Sequence, residues 1–544
     1  MRIGRKFWPA IATAMAATIA LTGCSASGST QGAGEEPVSG GVLRYVAEQE
    51  PEDWDLSHDW PATLVVLSSN VYDRLVRLDT DGTFHPWLAS SWDVAPDGKR
   101  IRFNLRRDVK FHDGTVFDAN AVKANVDRWI ADPNSSNAQD ISLDSVTVVD
   151  PYTADFNLTA PSPGALQLIS AATWSIVSPK SLAENGTQIS AGAGQVGTGP
   201  FKVASYTRGD ALVLERNPDY AWAPETAEHQ GPAHLDRVEV TFLPEAAARI
   251  GALQSGQADF VAGVPAISIP QIEADAALTV HQGVATGAPY SLSLNTEQFP
   301  TDDVNVRKAI RSSLDVQGLL DSLYFGRFEQ AWSALAPNTP PVGAYNDSLV
   351  GGWEPDLDEA ARLLDAAGWS TKDADGIRTK DGRKLELRWI LNAAKLKDQR
   401  DVLAQGIQAE LRKAGIDANI DLADSGTFTE RVKAGDYNIA EGSWQYAEAN
   451  ILRTAFHSVR LGRTNYARID ERDVDAQIDV ILQDNDQTAR AEAARAIQQR
   501  AFDEVWTIPL YAPVTFVATK NTVGGVSFDI AGWHDSLYAV WIND

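Results

Sequence analysis

Apolar and polar residues alternate with a period of two in 41–46, 100–105 and 238–242, the spacing of strands with one buried face. Residues 144–158 read as two strands around Asp150-Pro151, and 201–216 as two more broken at Arg208-Gly209-Asp210. Further strands are expected at 385–390 and 418–422. Apolar positions return at helical spacing in 64–76, 118–129, 245–255, 304–323, 357–367, 398–414, 473–482 and 488–506. Asp118 stands where an N-cap belongs. Asp81-Gly82, Pro96-Asp97-Gly98 and Asp113-Gly114 mark turns. This alternation of strands and helices predicts α/β lobes with mixed sheets. No segment repeats at a solenoid or propeller period. A body of roughly 500 residues exceeds what one core supports, so two or three lobes are expected.

The first residues obey another pattern. Arg2, Arg5 and Lys6 precede an apolar run over 7–21 of about 15 residues, short of the roughly 20 a membrane helix needs and right for a secretory leader. Leu21-Thr22-Gly23-Cys24 follows, containing the only cysteine of the chain. It resembles the lipobox of bacterial lipoproteins, in which cleavage leaves the cysteine as a diacylated N-terminus. Two acyl chains anchor stably where one does not. Residues 24–40 are rich in Ser, Gly and Glu and read as a flexible tether. The formal charge is −26. Loss of the three leader cations makes it more negative still, a surface that repels nucleic acid. With a single cysteine there is neither an internal disulfide nor a thiolate metal site.

Catalytic signatures are missing. The chain has no G-x-S-x-G, H-E-x-x-H or G-x-x-x-x-G-K-[ST]. Gly192-Ala193-Gly194-Gln195-Val196-Gly197 fits a dinucleotide fingerprint, but Thr198-Gly199-Pro200 forbids the helix that would receive a pyrophosphate. His229 and His234 read as loop residues, and Asp302-Asp303 as helix N-terminal charge. Sixteen tryptophans are many, and Trp54, Trp60, Trp87, Trp222, Trp332, Trp353, Trp444 and Trp533 fall at expected loops. Such residues either plug the edge of a core or wall a ligand.

Ordered motifs then accumulate. They are Tyr72-Asp73-Arg74-Leu75-Val76, Pro86-Trp87-Leu88-Ala89, Val109-Lys110-Phe111-His112-Asp113-Gly114, Gly197-Thr198-Gly199-Pro200-Phe201, Arg216-Asn217-Pro218-Asp219-Tyr220, Ala367-Gly368-Trp369 and Ile508-Pro509-Leu510-Tyr511. From about residue 41 to the end, the chain resembles the extracytoplasmic solute-binding proteins of peptide/nickel ABC importers. The resemblance implies a periplasmic-binding-protein-like two-lobed clamp with mixed sheets, a hinge and an extra small domain. It divides the chain into a leader (1–23), tether (24–40), lobe I (41–75, 191–285 and 508–544), extra domain II (76–190) and lobe II (286–507). It implies a monomeric binding protein with no catalytic residue, cofactor or resident metal, which closes on a small solute and delivers it to ABC permease subunits.

Peptide-binding members resemble Trp-x-x-Asp-x-x-Asp-Pro in lobe II. Here the stretch is Trp444-Gln445-Tyr446-Ala447-Glu448-Ala449-Asn450, with Ala447 at the first acid and Glu448 one position on. The ligand-binding set implied is Trp54, Trp60, Trp444, Tyr446 and Glu448, the backbone near Gly199, and Arg400, with Lys395 and Lys397 as further cations for a carboxylate. An oligopeptide leads. A nickel or other metal chelate is the alternative, with His58, His457 and His534 the histidines to check. A secreted lipoprotein hydrolase is the remote one.

Overall fold

The computed structural model describes residues 36–58, 62–135, 137–445, 448–484, 486–534 and 536–543. The expectations for the leader, Cys24, Trp60 and Tyr446 lie outside these residues. Two large sheets organise the body. The first has seven strands in the order Leu278–Val284, Val514–Lys520, Phe260–Ala262, Val42–Ala47, Arg237–Phe242, Ala211–Arg216, Phe201–Thr207. Val42–Ala47 lies near its centre, parallel to both neighbours, with Leu43, Tyr45 and Ala47 buried. The second has five strands in the order Asp417–Ala423, Glu386–Asn392, Ile439–Gln445, Gly287–Leu294, Thr507–Tyr511. Strands buried on both faces read as continuous apolar runs, as Thr507–Tyr511 does.

A smaller antiparallel sheet, Ala89–Val94, Arg100–Leu105, Thr153–Leu158 and Leu143–Asp150, is covered by helix Ala119–Ala131 and shares a continuous hydrophobic core with the first large sheet. Asp118 caps that helix, accepting from the amides of Asn120 and Ala121 at 2.9 Å each. Trp129 buries its ring edge-on to Trp174, 5.0 Å between centroids. Burying one such ring contributes on the order of 2–3 kcal/mol.

The chain passes between the large sheets twice, through 285–286 and 512–513, where the Ala285 amide donates to Pro513 O at 2.8 Å. Strand Thr507–Tyr511 pairs with Gly287–Leu294 in the second sheet, so the return to the first comes after it and not at 508. The two connections run side by side.

Three expected helices differ in detail. The segment 304–323 is two helices, Val304–Ser312 and Val316–Tyr324, because Asp315 turns its carboxylate onto the Gly318 amide (2.9 Å) and starts the second. A side chain that bonds its own backbone competes with helix propagation. The segment 64–76 is helical only over Ala62–Ser68, where Asn70 Nδ2 donates to Val66 O at 2.9 Å and the chain turns into strand Val76–Leu78. The last helix, Gln487–Asp503, stops short of Trp506. Among the described residues no helix is long and apolar enough to cross a membrane.

Candidate functional site

A cleft of about 520 Å³ lies between the two large sheets and is lined from both. That is within the roughly 300–1,000 Å³ usual for small-molecule sites. From the second sheet come Ser443, Gln445 and the segment 397–400; from the first come Tyr45, Glu48, Phe516, Trp533 and His534.

Arg400 dominates the second-sheet wall. Asp398 and Gln399 both take left-handed backbone, φ +54° each, and swing the chain so that Arg400 opens helix Arg400–Lys413. Tyr324 fixes this turn by donating its hydroxyl to Asp398 O at 2.6 Å. The Arg400 side chain runs over the face of Tyr290, 4.0 Å to the ring centroid. Its Nε donates to the Tyr511 hydroxyl (3.0 Å) and its Nη2 to Ser443 Oγ (3.4 Å). Burial pushes the Tyr511 hydroxyl up to about 12, with the adjacent guanidinium opposing, so Tyr511 stays neutral. Arg400 is only 6% exposed yet meets no carboxylate among the described residues. A buried charge without a counter-ion is costly unless an anion arrives, and a guanidinium fork fits a carboxylate two bonds at a time.

On the first-sheet wall, the Tyr45 hydroxyl shares a 2.8 Å hydrogen bond with His534 Nε2, and His534 leans on Phe260 at 5.1 Å. Burial drives the Tyr45 hydroxyl well above its ordinary range, so it too is neutral.

Of the residues expected from sequence, Arg400 and Lys397 line the cleft. Trp54 does not. Its N–H donates to the Tyr206 hydroxyl at 3.0 Å, its ring meets Tyr206 at 4.8 Å, and it closes a small separate cavity beside Arg128. Gly199 is a packing glycine: a Cβ there would lie 2.6 Å from the Val71 carbonyl carbon. Its own carbonyl accepts from His112 Nε2 at 2.9 Å. Burial lowers the His112 imidazole to about 4, which keeps it a neutral donor.

Trp444 lies in strand Ile439–Gln445, not in a loop, and packs on Tyr466, 5.6 Å between rings, while its neighbours Ser443 and Gln445 line the cleft. Successive side chains of a strand take opposite faces. Glu448 is paired with Arg490, both side chains 3% exposed, and is not part of the cleft lining.

His58 bridges Asp53 (2.8 Å) and Asp132 (2.7 Å), and His457 lies 3.2 Å from Asp475. Only His534 of the three reaches the cleft. Among the described residues no group of three or more His, Cys, Asp or Glu is placed to hold a metal ion. Sequence reasoning missed Tyr45, Ser443 and Gln445. The last two follow once Trp444 is assigned to a strand.

The sequence profile of the bacterial extracellular solute-binding proteins, family 5 Middle, matches residues 83–456. The nickel-binding periplasmic protein of Escherichia coli (strain K12) is 26% identical over 489 residues, covering 87% of this chain and 89% of the relative. The probable di/tripeptide-binding protein 5 of Pseudomonas aeruginosa (strain UCBPP-PA14) is 26% identical over 529 residues, 92% of this chain and 95% of the relative. Among solved structures, that of NikA from Brucella suis in complex with Fe(III)-EDTA is similar with a TM-score of 0.79 at 26% identity, covering 92% of this chain and 100% of that one.

Proposed function

Because the chain belongs to the bacterial extracellular solute-binding proteins, family 5, we propose that it is the lipid-anchored receptor of an ABC importer for a small carboxylate-bearing solute, a short peptide foremost. The observation that carries this reading is Arg400, a buried guanidinium on the cleft wall that meets no carboxylate among the described residues. The solute carboxylate completes that pair as the lobes close, and closure at the hinge removes the pair from water, where it is strongest. Ser443 and Gln445 add neutral polar contacts beside it. The protein acts as a monomer, held at the membrane by Cys24, and presents its closed form to the permease.

A metal chelate is the second reading. A chelator such as the one bound by the Brucella relative carries carboxylates that Arg400 would accept equally well. Having no group of three metal-ligating side chains among the described residues, the cleft would take a metal only in its chelator.

Native mass spectrometry of the protein purified from its own host separates these. A bound species that fragments into amino acids supports the peptide reading. A metal-bearing adduct supports the chelate, and an adduct without any carboxylate overturns both.

A further inference from the structure

The two walls of the cleft differ in what they leave for a solute. On the first-sheet wall the charged groups answer one another: Glu48 and Glu245 flank the buried Arg249, whose charge opposes both. The Arg249 guanidinium also donates to three backbone carbonyls, Leu243 O (2.7 Å), Pro244 O (2.6 Å) and Gly263 O (2.7 Å). The Tyr45 hydroxyl and His534 Nε2 are engaged with each other. Beside these groups the wall is apolar. Ile267 lines the cleft while 56% exposed, and half-buried Val514 and Trp533 belong to the same lining.

The turn that presents Trp533 is tied down at several points. Asp529 Oδ1 accepts from the amides of Ala531 (2.9 Å) and Trp533 (3.0 Å), and the Asp529 amide donates to Trp533 O at 2.8 Å. Gly532, at φ +76°, packs so closely on the first crossing between the sheets that a Cβ there would lie 2.6 Å from the Ala285 amide nitrogen. Thr286 Oγ1 donates to Ile530 O at 2.9 Å. Trp533 is thus carried by a turn fastened to the segment that joins the two sheets, while Arg400 lines the same cleft from the second. An indole offers a large apolar face at a fixed place. A cleft of about 520 Å³ leaves room for a ring-sized body beside a carboxylate.

We propose that Trp533 and Ile267 seat the apolar body of the solute. The solute class is then a carboxylate carrying a ring-sized or branched apolar group, with no cationic end required. This deepens the reading above and rests on Arg400 as the carboxylate partner. A peptide qualifies through the side chain beside its terminal carboxylate, and so does an acylated or non-peptide acid. A small hydrophilic carboxylate leaves the apolar wall wet and is held by its charge alone.

The test is calorimetric titration of the purified full chain, freed of bound solute, with four probes. N-acetylphenylalanine is expected to bind at least about tenfold tighter than N-acetylglycine, the scale of an apolar group buried in a pocket. Glycylphenylalanine, which adds an ammonium, is expected within about threefold of N-acetylphenylalanine, the scale of an exposed charge contact. N-acetylphenylalaninamide, which has no carboxylate, is expected to bind at least about tenfold more weakly than the acid. W533A is expected to bring the ratio of the two acetylated acids close to one, and I267S to lower it in part. Thermal unfolding establishes that each variant is folded. I267S, at an exposed position, carries the test should W533A fail to fold.

Equal binding of the two acetylated acids by wild type, or a ratio that survives in both variants, overturns the apolar seat and leaves the Arg400 reading standing. Glycylphenylalanine bound about tenfold or more tighter than N-acetylphenylalanine overturns the claim that no cationic end is required. The amide bound as tightly as the acid overturns the Arg400 reading, and binding of none of the four overturns both.

Discussion

Replacing Arg400 by methionine separates binding from folding. In the folded protein the guanidinium makes one good hydrogen bond, to Tyr511 at 3.0 Å, one long one to Ser443 at 3.4 Å, and a face contact with Tyr290 at 4.0 Å. A hydrogen bond to a charged group contributes about 1.5–3 kcal/mol and a cation–π contact about 0.5–2 kcal/mol. Against these stands the desolvation of a charge that has no counter-ion among the described residues, several kcal/mol. The opposing terms are of similar size, and methionine fills most of the stem's volume. R400M should therefore change stability by no more than about 2 kcal/mol, a shift of a few degrees at most in a chain of this length.

Binding is affected quite differently. Removing the cation leaves a desolvated solute carboxylate unpaired, a loss of about 2–5 kcal/mol, or roughly 30-fold to several thousand-fold in Kd. R400K keeps the charge but not the fork and should fall between. Calorimetric titration with the solute recovered from wild type, alongside differential scanning calorimetry, measures both quantities. Undiminished affinity in R400M refutes the assignment of Arg400 as the carboxylate partner. A large loss of stability would show instead that its role is to hold the second sheet together.

Three more predictions come from other parts of the fold. Asp73 is fully buried, with burial raising its carboxyl to about 6 despite hydrogen bonds from Trp222, Thr198 and Tyr220. A folded value above the unfolded one gives stability that is complete below about pH 4 and lost as pH rises through 6. Urea titrations should thus show wild type losing on the order of 2–3 kcal/mol relative to D73N between pH 4 and 7, and a pH-independent difference would contradict this. E448Q should cost about 3–5 kcal/mol by stranding the buried Arg490 charge, whereas E448L/R490M should cost much less; solute affinity should be unchanged in whichever variants fold. C24S should move the protein from the membrane fraction to the soluble one and abolish incorporation of labelled palmitate; retention at the membrane would exclude the lipid anchor.

The legibility of this chain followed the range of the interactions concerned. Strand 42–47 and helix 119–131 announce themselves through local alternation and an N-cap, and both formed as expected. The break at Asp315 was equally local, but an apolar period running across it concealed a side chain that caps instead of continuing. Loop tryptophans are ambiguous in principle. Trp54 looks like a ligand wall in sequence, and only its bond to Tyr206, 152 residues away, reveals an edge plug. Glu448 sat one residue from an acid expected by resemblance, and its burial against Arg490 depends on a helix some 40 residues on. Arg400 was legible as a nearby cation. Tyr45 and Ser443 were not, because the cleft is assembled from segments near 45, 263, 400, 443 and 534 that no sequence window contains together.

The most direct measurement is the crystal structure of the protein purified with its native solute. The expected result is a solute carboxylate within about 2.7–2.9 Å of the Arg400 guanidinium nitrogens, enclosed between Ser443 and the Tyr45–His534 pair. A solute seated elsewhere, or one in this cleft that leaves Arg400 without an anion, would contradict it.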